Sequence, residues 1–496
     1  MGVRLDTLKA RLAEIADLQA AEAVLSWDQH TYMPPAAGQG RAEQIATLQG
    51  FVHRLMVADD TRLMLDGAQD EVADQSPDDD GRALVEVVRW DVDDSLKLPE
   101  SLVVERARTG ALALEAWSDS RSRSDYSRFA PFLRKILDLE RQVAECRGYD
   151  VHPYDALLQA YERGARTEDL KKLFGTLRAR LTPLVRSILD AAGDPAHLPA
   201  AVYPTPVQEG VAHRLAASIG YDFQRGRIDP TVHPFASGIT RNDVRITVRY
   251  DKHDPLKSIF AVLHETGHAL YEQGMPESFE RTPLRAGASL GVHESQSRLW
   301  ENLVGRSRAF WGCHLPALRA DFPDALGKVD EEQFYRAANV VQPSFIRVDA
   351  DEVTYNLHII LRFEMEIALI EGSLAVEDAP AAWNEKVQSL LGITPPDDRR
   401  GILQDVHWSM GAIGYFPTYT LGTLLACQLW ESALEADASI PEGIAIGDCS
   451  RLLTWLRETI HQHGRKYLPD DLTVRATGRP LTAEPFLRYL DGKYGS

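Results

Sequence analysis

The stretch His264-Glu265-Thr266-Gly267-His268 has the residue types and the spacing of a hydrolytic metal centre. On a helix, positions i and i+4 lie one turn apart on one face, so both imidazoles converge on a single ion. Glu265 projects beside that face, where a carboxylate can take a proton from zinc-bound water without being a ligand itself. Catalytic zinc uses three protein ligands and keeps a position for water, so a third donor must come from elsewhere in the chain. Tyr271 stands where HExxHxxGxxH requires glycine, which excludes that metalloprotease class. The next donors lie in His293-Glu294-Ser295-Gln296. Either His293 or Glu294 could reach the ion. Glu294 completes the two-histidine, one-glutamate set of hydrolytic zinc sites and is taken as the third ligand, with His293 packing or supporting a ligand from behind.

These donors need rigid elements to hold them. Asp254 is a good N-cap, Pro255 suits the first helical position, and Gln273-Gly274 followed by Pro276 supplies an end, so residues 255–273 are expected to form one helix. Leu256, Ile259, Phe260, Leu263, Gly267 and Leu270 make its buried stripe, with both histidines at the margin. A second helix from about Gly291 to Arg308 would set Glu294 across from the histidines, with Ser297 and Glu301 near the same face. Glu301 reads as an exposed carboxylate, a hydrogen bond to a ligand histidine being the alternative. Residues 243–250 alternate well and form the best strand in the chain, whereas 229–235 reads as irregular. A short β-structure there could wall a cleft and pair its edge with an extended peptide, although most half-buried strands bind nothing.

Two further stretches are unusually polar or aromatic. Arg347, within Ile346-Arg347-Val348-Asp349-Ala350-Asp351, could grip a carboxylate through two parallel hydrogen bonds; a plain i,i+4 pair with Asp351 competes with that role. Gly401 through Trp408 and Gly414 through Tyr419 combine donors with rings in a glycine-punctuated region that could line a substrate cleft or pack as a rigid loop.

The chain around these motifs has 496 residues and a formal charge of −19, which opposes attraction to nucleic acid or anionic membrane. Its four cysteines, Cys146, Cys313, Cys427 and Cys449, show no paired spacing, as suits a reducing cytoplasm. The amphipathic start, with Leu5, Leu8, Leu12, Ile15 and Leu18, does not resemble a secretion signal, and no apolar run is long enough for a membrane span. Helical periodicity dominates, predicting a large, mainly α body in one or two lobes, with the short β-structure just before the zinc helix. Residues 1–25 are expected to form a helix that ends at the aromatics and prolines of 27–35. Trp27 and Met33 read as core packing, and the Asp78-Asp79-Asp80 run as a solvated loop. The glycine- and proline-rich segment 191–210 is the candidate hinge, separating an N-terminal helical lobe, 1–190, from a catalytic lobe, 191–496, within what reads as one continuous peptidase domain.

Six ordered signatures in the chain resemble the carboxypeptidase Taq family (M32) of metallocarboxypeptidases. They are His233-Pro234-Phe235, Asp243-Val244-Arg245-Ile246-Thr247, the HETGH stretch, His293-Glu294-Ser295-Gln296, Ile346 through Asp351, and Gly401 through Trp408. The segment from Trp27 to Gln44 and Tyr154-Asp155-Ala156-Leu157-Leu158 are similar too, so the resemblance spans nearly the whole chain. It implies a helical fold with a deep groove, one catalytic divalent metal, usually Zn2+ and sometimes Co2+, a homodimer, and removal of C-terminal residues from peptides with broad specificity. Carried over by motif, His264, His268 and Glu294 become the metal ligands, Glu265 the general base and acid, and Arg347 the anchor for a free C-terminus. His233, His407 and Tyr415 become substrate-contact or oxyanion candidates. Two alternatives stand beside this: a zinc endopeptidase or aminopeptidase with the same ligands, although no GxMEN-like stretch precedes the metal helix, and a helical scaffold with structural zinc.

Overall fold

A computed structural model describes residues 2–191 and 195–495. The N-terminal helices are α1 (Val3–His30), α2 (Gly38–Val57), α3 (Asp59–Val72), α4 (Asp80–Lys97), α5 (Glu100–Arg123), α6 (Ala130–Arg147), α7 (Pro153–Leu158), α8 (Thr167–Ala191) and α9 (Thr205–Ser218). Three strands follow: β1 (Gly226–Pro230), β2 (Ala236–Thr240) and β3 (Asp243–Val248). The remaining helices are α10 (Pro255–Gly274), α11 (Leu290–Arg298), α12 (Arg308–Asp321), α13 (Pro323–Leu326), α14 (Glu331–Ala338), α15 (Tyr355–Glu371), α16 (Ala379–Leu391), α17 (Pro417–Ala436), α18 (Ile440–Ala445), α19 (Ser450–Thr459), α20 (Pro469–Thr477) and α21 (Glu484–Tyr494). The architecture is mainly α with one small sheet, as the periodicity predicts. No helix among the described residues is long and apolar enough to cross a membrane.

Burial explains the arrangement. One large apolar core draws residues from Leu102 to Leu490, and a smaller one joins Leu5, Leu8 and Leu12 of α1 to Leu65 of α3, Leu84 and Val88 of α4, and Phe279 and Leu284. The boundary expected near 191 falls inside the span of the larger core. Of the expected hinge, Gly193 lies outside the described residues. Tyr203 is fully buried, its amide donating to Lys252 O at 2.8 Å, and Thr205 already begins α9.

Several local expectations are corrected. Helix α1 does not stop at 25 but runs to His30, because the aromatic Trp27 is buried and only Pro34 and Pro35 prevent continuation. Trp27 does more than fill a core: the guanidinium of Arg245 lies 4.3 Å from its ring centroid. The aspartate run is exposed, as expected of a solvated loop, and its members also cap and bridge: Asp79 caps α4 and Asp78 accepts from Tyr467 and Arg475. Asp229 and Pro230, expected to be irregular, end strand β1. The strand order is β1-β3-β2, so β3 is central, parallel to β1 and antiparallel to β2, and the free edges belong to its neighbours. Val244, Ile246 and Val248 are fully buried, as alternation predicts.

Candidate active site

Helix α10 begins where its sequence says it should. Asp254 accepts a hydrogen bond from the Leu256 amide at 3.2 Å, and Pro255 fills the first turn. Helix α11 is capped by Ser289, which accepts from the Val292 amide; the buried Glu162 accepts from both the Ser289 hydroxyl and the Gly291 amide. Two glycines let the site close. A Cβ at Gly267 would stand 2.6 Å from Gln296 O and Ser297 Cα, and one at Gly422 would stand 2.6 Å from the Glu294 Cβ. Helices α10 and α17 therefore approach α11 more closely than any side chain would permit.

The result gathers His264, His268 and Glu294, whose donor atoms all lie within 4.8 Å of one another. Glu294 Oε2 is 3.5 Å from His264 Nε2 and 3.3 Å from His268 Nε2. Ligands held tetrahedrally at zinc bond lengths stand about 3.3 to 3.4 Å apart, so the separation of Glu294 from each histidine is that of donors sharing a small divalent ion. His293, the competing third donor, turns away: its Nδ1 meets His268 Nδ1 at 2.6 Å, on the far side of that ring.

The expected helix from Gly291 to Arg308 is broken. α11 ends at Arg298 and passes into a π-helical segment, Leu299–Val304, before α12 starts. Such segments concentrate at functional sites. Glu301 lies within it and is buried, not exposed; its Oε2 takes the His264 Nδ1 at 2.9 Å. Arg298, four residues after Glu294, donates to Glu294 Oε1 at 2.7 Å and reaches Glu301 at 3.3 Å.

Charge is concentrated here. Burial pulls His264 down, but Glu294, Glu301 and Glu265 outweigh it and push the imidazole up to about 9. Burial lowers His268 to about 4. Burial raises Glu265 to about 7, against the opposing pull of His264. For Glu301 burial is overcome by Arg298 and His264, which hold it at about 2.

Beyond Arg298 lies a second pole. The Arg298 guanidinium sits 4.3 Å from the Tyr355 ring centroid, and the Tyr355 hydroxyl accepts from Arg347 Nη1 at 2.9 Å. Arg347 is buried, and its Nε and Nη2 both donate to Asp405 Oδ1, at 3.0 and 2.9 Å. The expected pair with Asp351 does not form; Asp351 instead accepts from the Val353 and Thr354 amides. Arg362, fully buried, donates to the other oxygen of Asp405 at 2.7 Å. His407 and Tyr415 join this pole with ring centroids 5.1 Å apart, and Tyr419 lies between them and Arg347, its hydroxyl 3.2 Å from His407 Nε2. His233 is exposed on the connection between β1 and β2.

Sequence reasoning passed over Arg298 and Glu272, although each stands four residues after a proposed ligand and shares its helix face. Asp405 and Tyr419 lie within the two glycine-punctuated stretches, and Tyr355 lies four residues beyond Asp351; nothing local distinguishes them.

Comparison with known proteins identifies the family. The profile of the family described as carboxypeptidase Taq (M32) metallopeptidase matches residues 7–494. Thermostable carboxypeptidase 1 of Thermus thermophilus is 41% identical over 97% of this chain and 96% of its own. Carboxypeptidase 1 of Bacillus subtilis is 37% identical over 98% and 97%. The crystal structure of an M32 carboxypeptidase from Deinococcus radiodurans superposes with a TM-score of 0.97 at 41% identity, covering 100% of this chain and 99% of that one. By its motifs, its architecture and these relatives, the chain belongs to the carboxypeptidase Taq (M32) family of metallopeptidases and is a peptide hydrolase.

Proposed function

We propose that the enzyme removes amino acids one at a time from the free C-terminus of peptides, with broad specificity, using one divalent ion held by His264, His268 and Glu294. The observation that carries this is the convergence of those three donors beside a buried Glu265. The donor set favours Zn2+, with Co2+ as a competent substitute. When bound, such an ion polarises a carbonyl and lowers the pKa of water.

Glu265 accepts the proton of the attacking water and returns it to the departing amine. Its carboxyl, raised to about 7 by burial, is suited to both transfers near neutral pH. Arg347 uses one N–H of each terminal nitrogen on Asp405 and Tyr355, leaving a second on each for a substrate carboxylate. That anchor would set the scissile bond one residue from the chain end. His407 and Tyr415, on the same pole, serve as donors to the substrate or to the oxyanion; His233 takes no step. The proposal includes a cytoplasmic homodimer: free cysteines suit the compartment, and the family resemblance implies the assembly.

One peptide offered free, N-blocked and C-amidated tests the activity by mass spectrometry, with metal content measured on the same sample. Stepwise loss from the C-terminus, stopped by amidation alone, is expected. Internal cleavage of both the amidated and the N-blocked forms would make the enzyme an endopeptidase, and cleavage of the amidated form with arrest by the N-block an aminopeptidase.

A further inference from the structure

The two histidines of the metal site are backed differently. His264 Nδ1 meets a carboxylate directly, that of Glu301, at 2.9 Å. His268 Nδ1 meets His293 Nδ1 at 2.6 Å, and His293 Nε2 lies 2.9 Å from Glu272 Oε1. Glu272 stands four residues after His268 on the same face of α10.

We infer that Glu272 is a positioning residue of the metal site, selecting through His293 which nitrogen His268 presents. This rests on the metal-site assignment proposed above. An ionised carboxylate only accepts, so the proton of a neutral His293 must sit on Nε2. His293 Nδ1 is then an acceptor, and the short contact can be a hydrogen bond only if His268 carries its own proton on Nδ1. The lone pair of His268 is thereby placed on Nε2, the nitrogen that faces Glu294. Without the carboxylate, His293 can take the opposite tautomer and donate from Nδ1. His268 would then hold its proton on Nε2 and could not bind a metal there.

Glu272 is itself fixed from the sheet side. Its Oε2 is 3.3 Å from Arg285 Nη2, and Arg285 also pairs with Glu280 at 2.9 Å and donates to Gly238 O in β2 at 3.3 Å. Ligand orientation on α10 is thus tied to the wall strand β2, whereas the other histidine is tied to the helix beyond α11.

A double-mutant cycle on zinc affinity tests this, with dissociation constants measured by competition with a chromogenic chelator. Glu272→Gln and His293→Gln are each expected to weaken zinc by about 10- to 100-fold, with the melting temperature of the metal-free protein nearly unchanged. The double variant is expected to lose no more than either alone, because both changes cut one chain of hydrogen bonds. Zinc affinity unchanged in Glu272→Gln, or losses that multiply in the double variant, would overturn the inference. If Glu272→Gln does not fold, Glu272→Asp replaces it in the cycle and is expected to show the smaller loss. His268→Ala separates the two ideas: if it leaves zinc affinity intact, the metal-site assignment itself fails, whereas its loss beside an unaffected Glu272→Gln removes only the relay.

Discussion

The metal pole and the arginine pole are built on opposite charge balances. Around His264 and His268 stand Glu265, Glu294 and Glu301, and the acids push His264 up to about 9. Around His407 stand Arg347 and Arg362, which share the single carboxylate of Asp405, and burial together with the two arginines pulls His407 down to about 4 despite that carboxylate. An excess of buried acid suits a cation, and an excess of buried base suits an anion. The two poles are linked side chain to side chain, Glu294 to Arg298, Arg298 across the Tyr355 ring, and the Tyr355 hydroxyl to Arg347. A peptide end carries both features the poles prefer, a carbonyl to be polarised and a carboxylate one residue beyond.

Breaking either pole should have distinct consequences. The largest effect is expected from Glu265→Gln, which should keep its metal by elemental analysis and lose about 10²- to 10⁴-fold in kcat; near-normal turnover with metal retained removes Glu265 from the chemistry. At the other pole, Arg347→Gln should raise KM about 10- to 100-fold for free-acid peptides, the worth of a charge-assisted hydrogen-bond pair. An unchanged preference for free-acid over amidated substrates would defeat the anchor.

The packing between helices is tested by Gly422→Ala. The new Cβ would meet the Glu294 Cβ at 2.6 Å, so α17 and α11 must separate at a cost of about 1–3 kcal/mol, read as a lower denaturation midpoint and weaker metal binding. A variant as stable as the parent would show that the contact yields easily.

The last test changes no residue and concerns pH. In the metal-free protein His264 titrates at about 9, so binding at neutral pH must displace its proton. Metal affinity should therefore rise about tenfold per pH unit as pH increases toward 9 and level off above it. The sign for stability is opposite: a histidine raised in the folded state stabilises the metal-free protein fully below its ordinary pKa and loses that contribution as pH rises through 9. Calorimetric titration across pH 6 to 9 measures the first and melting of the metal-free enzyme the second. Metal affinity flat over this range would mean that no proton leaves His264 on binding, so that either the acids do not raise it or it does not hold the ion.

What local spacing governs was legible in the chain. The cap at Asp254, the start of α10 at Pro255, the convergence of His264 and His268, and the burial of Val244 and Ile246 all follow from the helix and strand periods. Glu301 was not legible, since its burial depends on a π-helical segment that breaks the expected register, and a carboxylate at that spacing is more often solvated. The extension of α1 through Trp27 escaped notice for a related reason. Its termination by aromatics is a local tendency, overruled when the ring found Arg245 on a strand more than two hundred residues away.

The sequence by itself determined which residues can bind an ion, which carboxylate stands beside it, and which helix presents them. Only the tertiary structure decided that Arg347 belongs to Asp405 and not to Asp351, that His293 lies behind the His268 ring, and that Glu301 and Glu272 stand behind the two histidines. The physical reason is that a helix fixes the direction of its side chains within a turn, whereas the partner of a buried charge is chosen by whichever opposite group the packing brings within hydrogen-bond reach. Here that choice depends on two glycines, Gly267 and Gly422, that let three helices meet backbone to backbone.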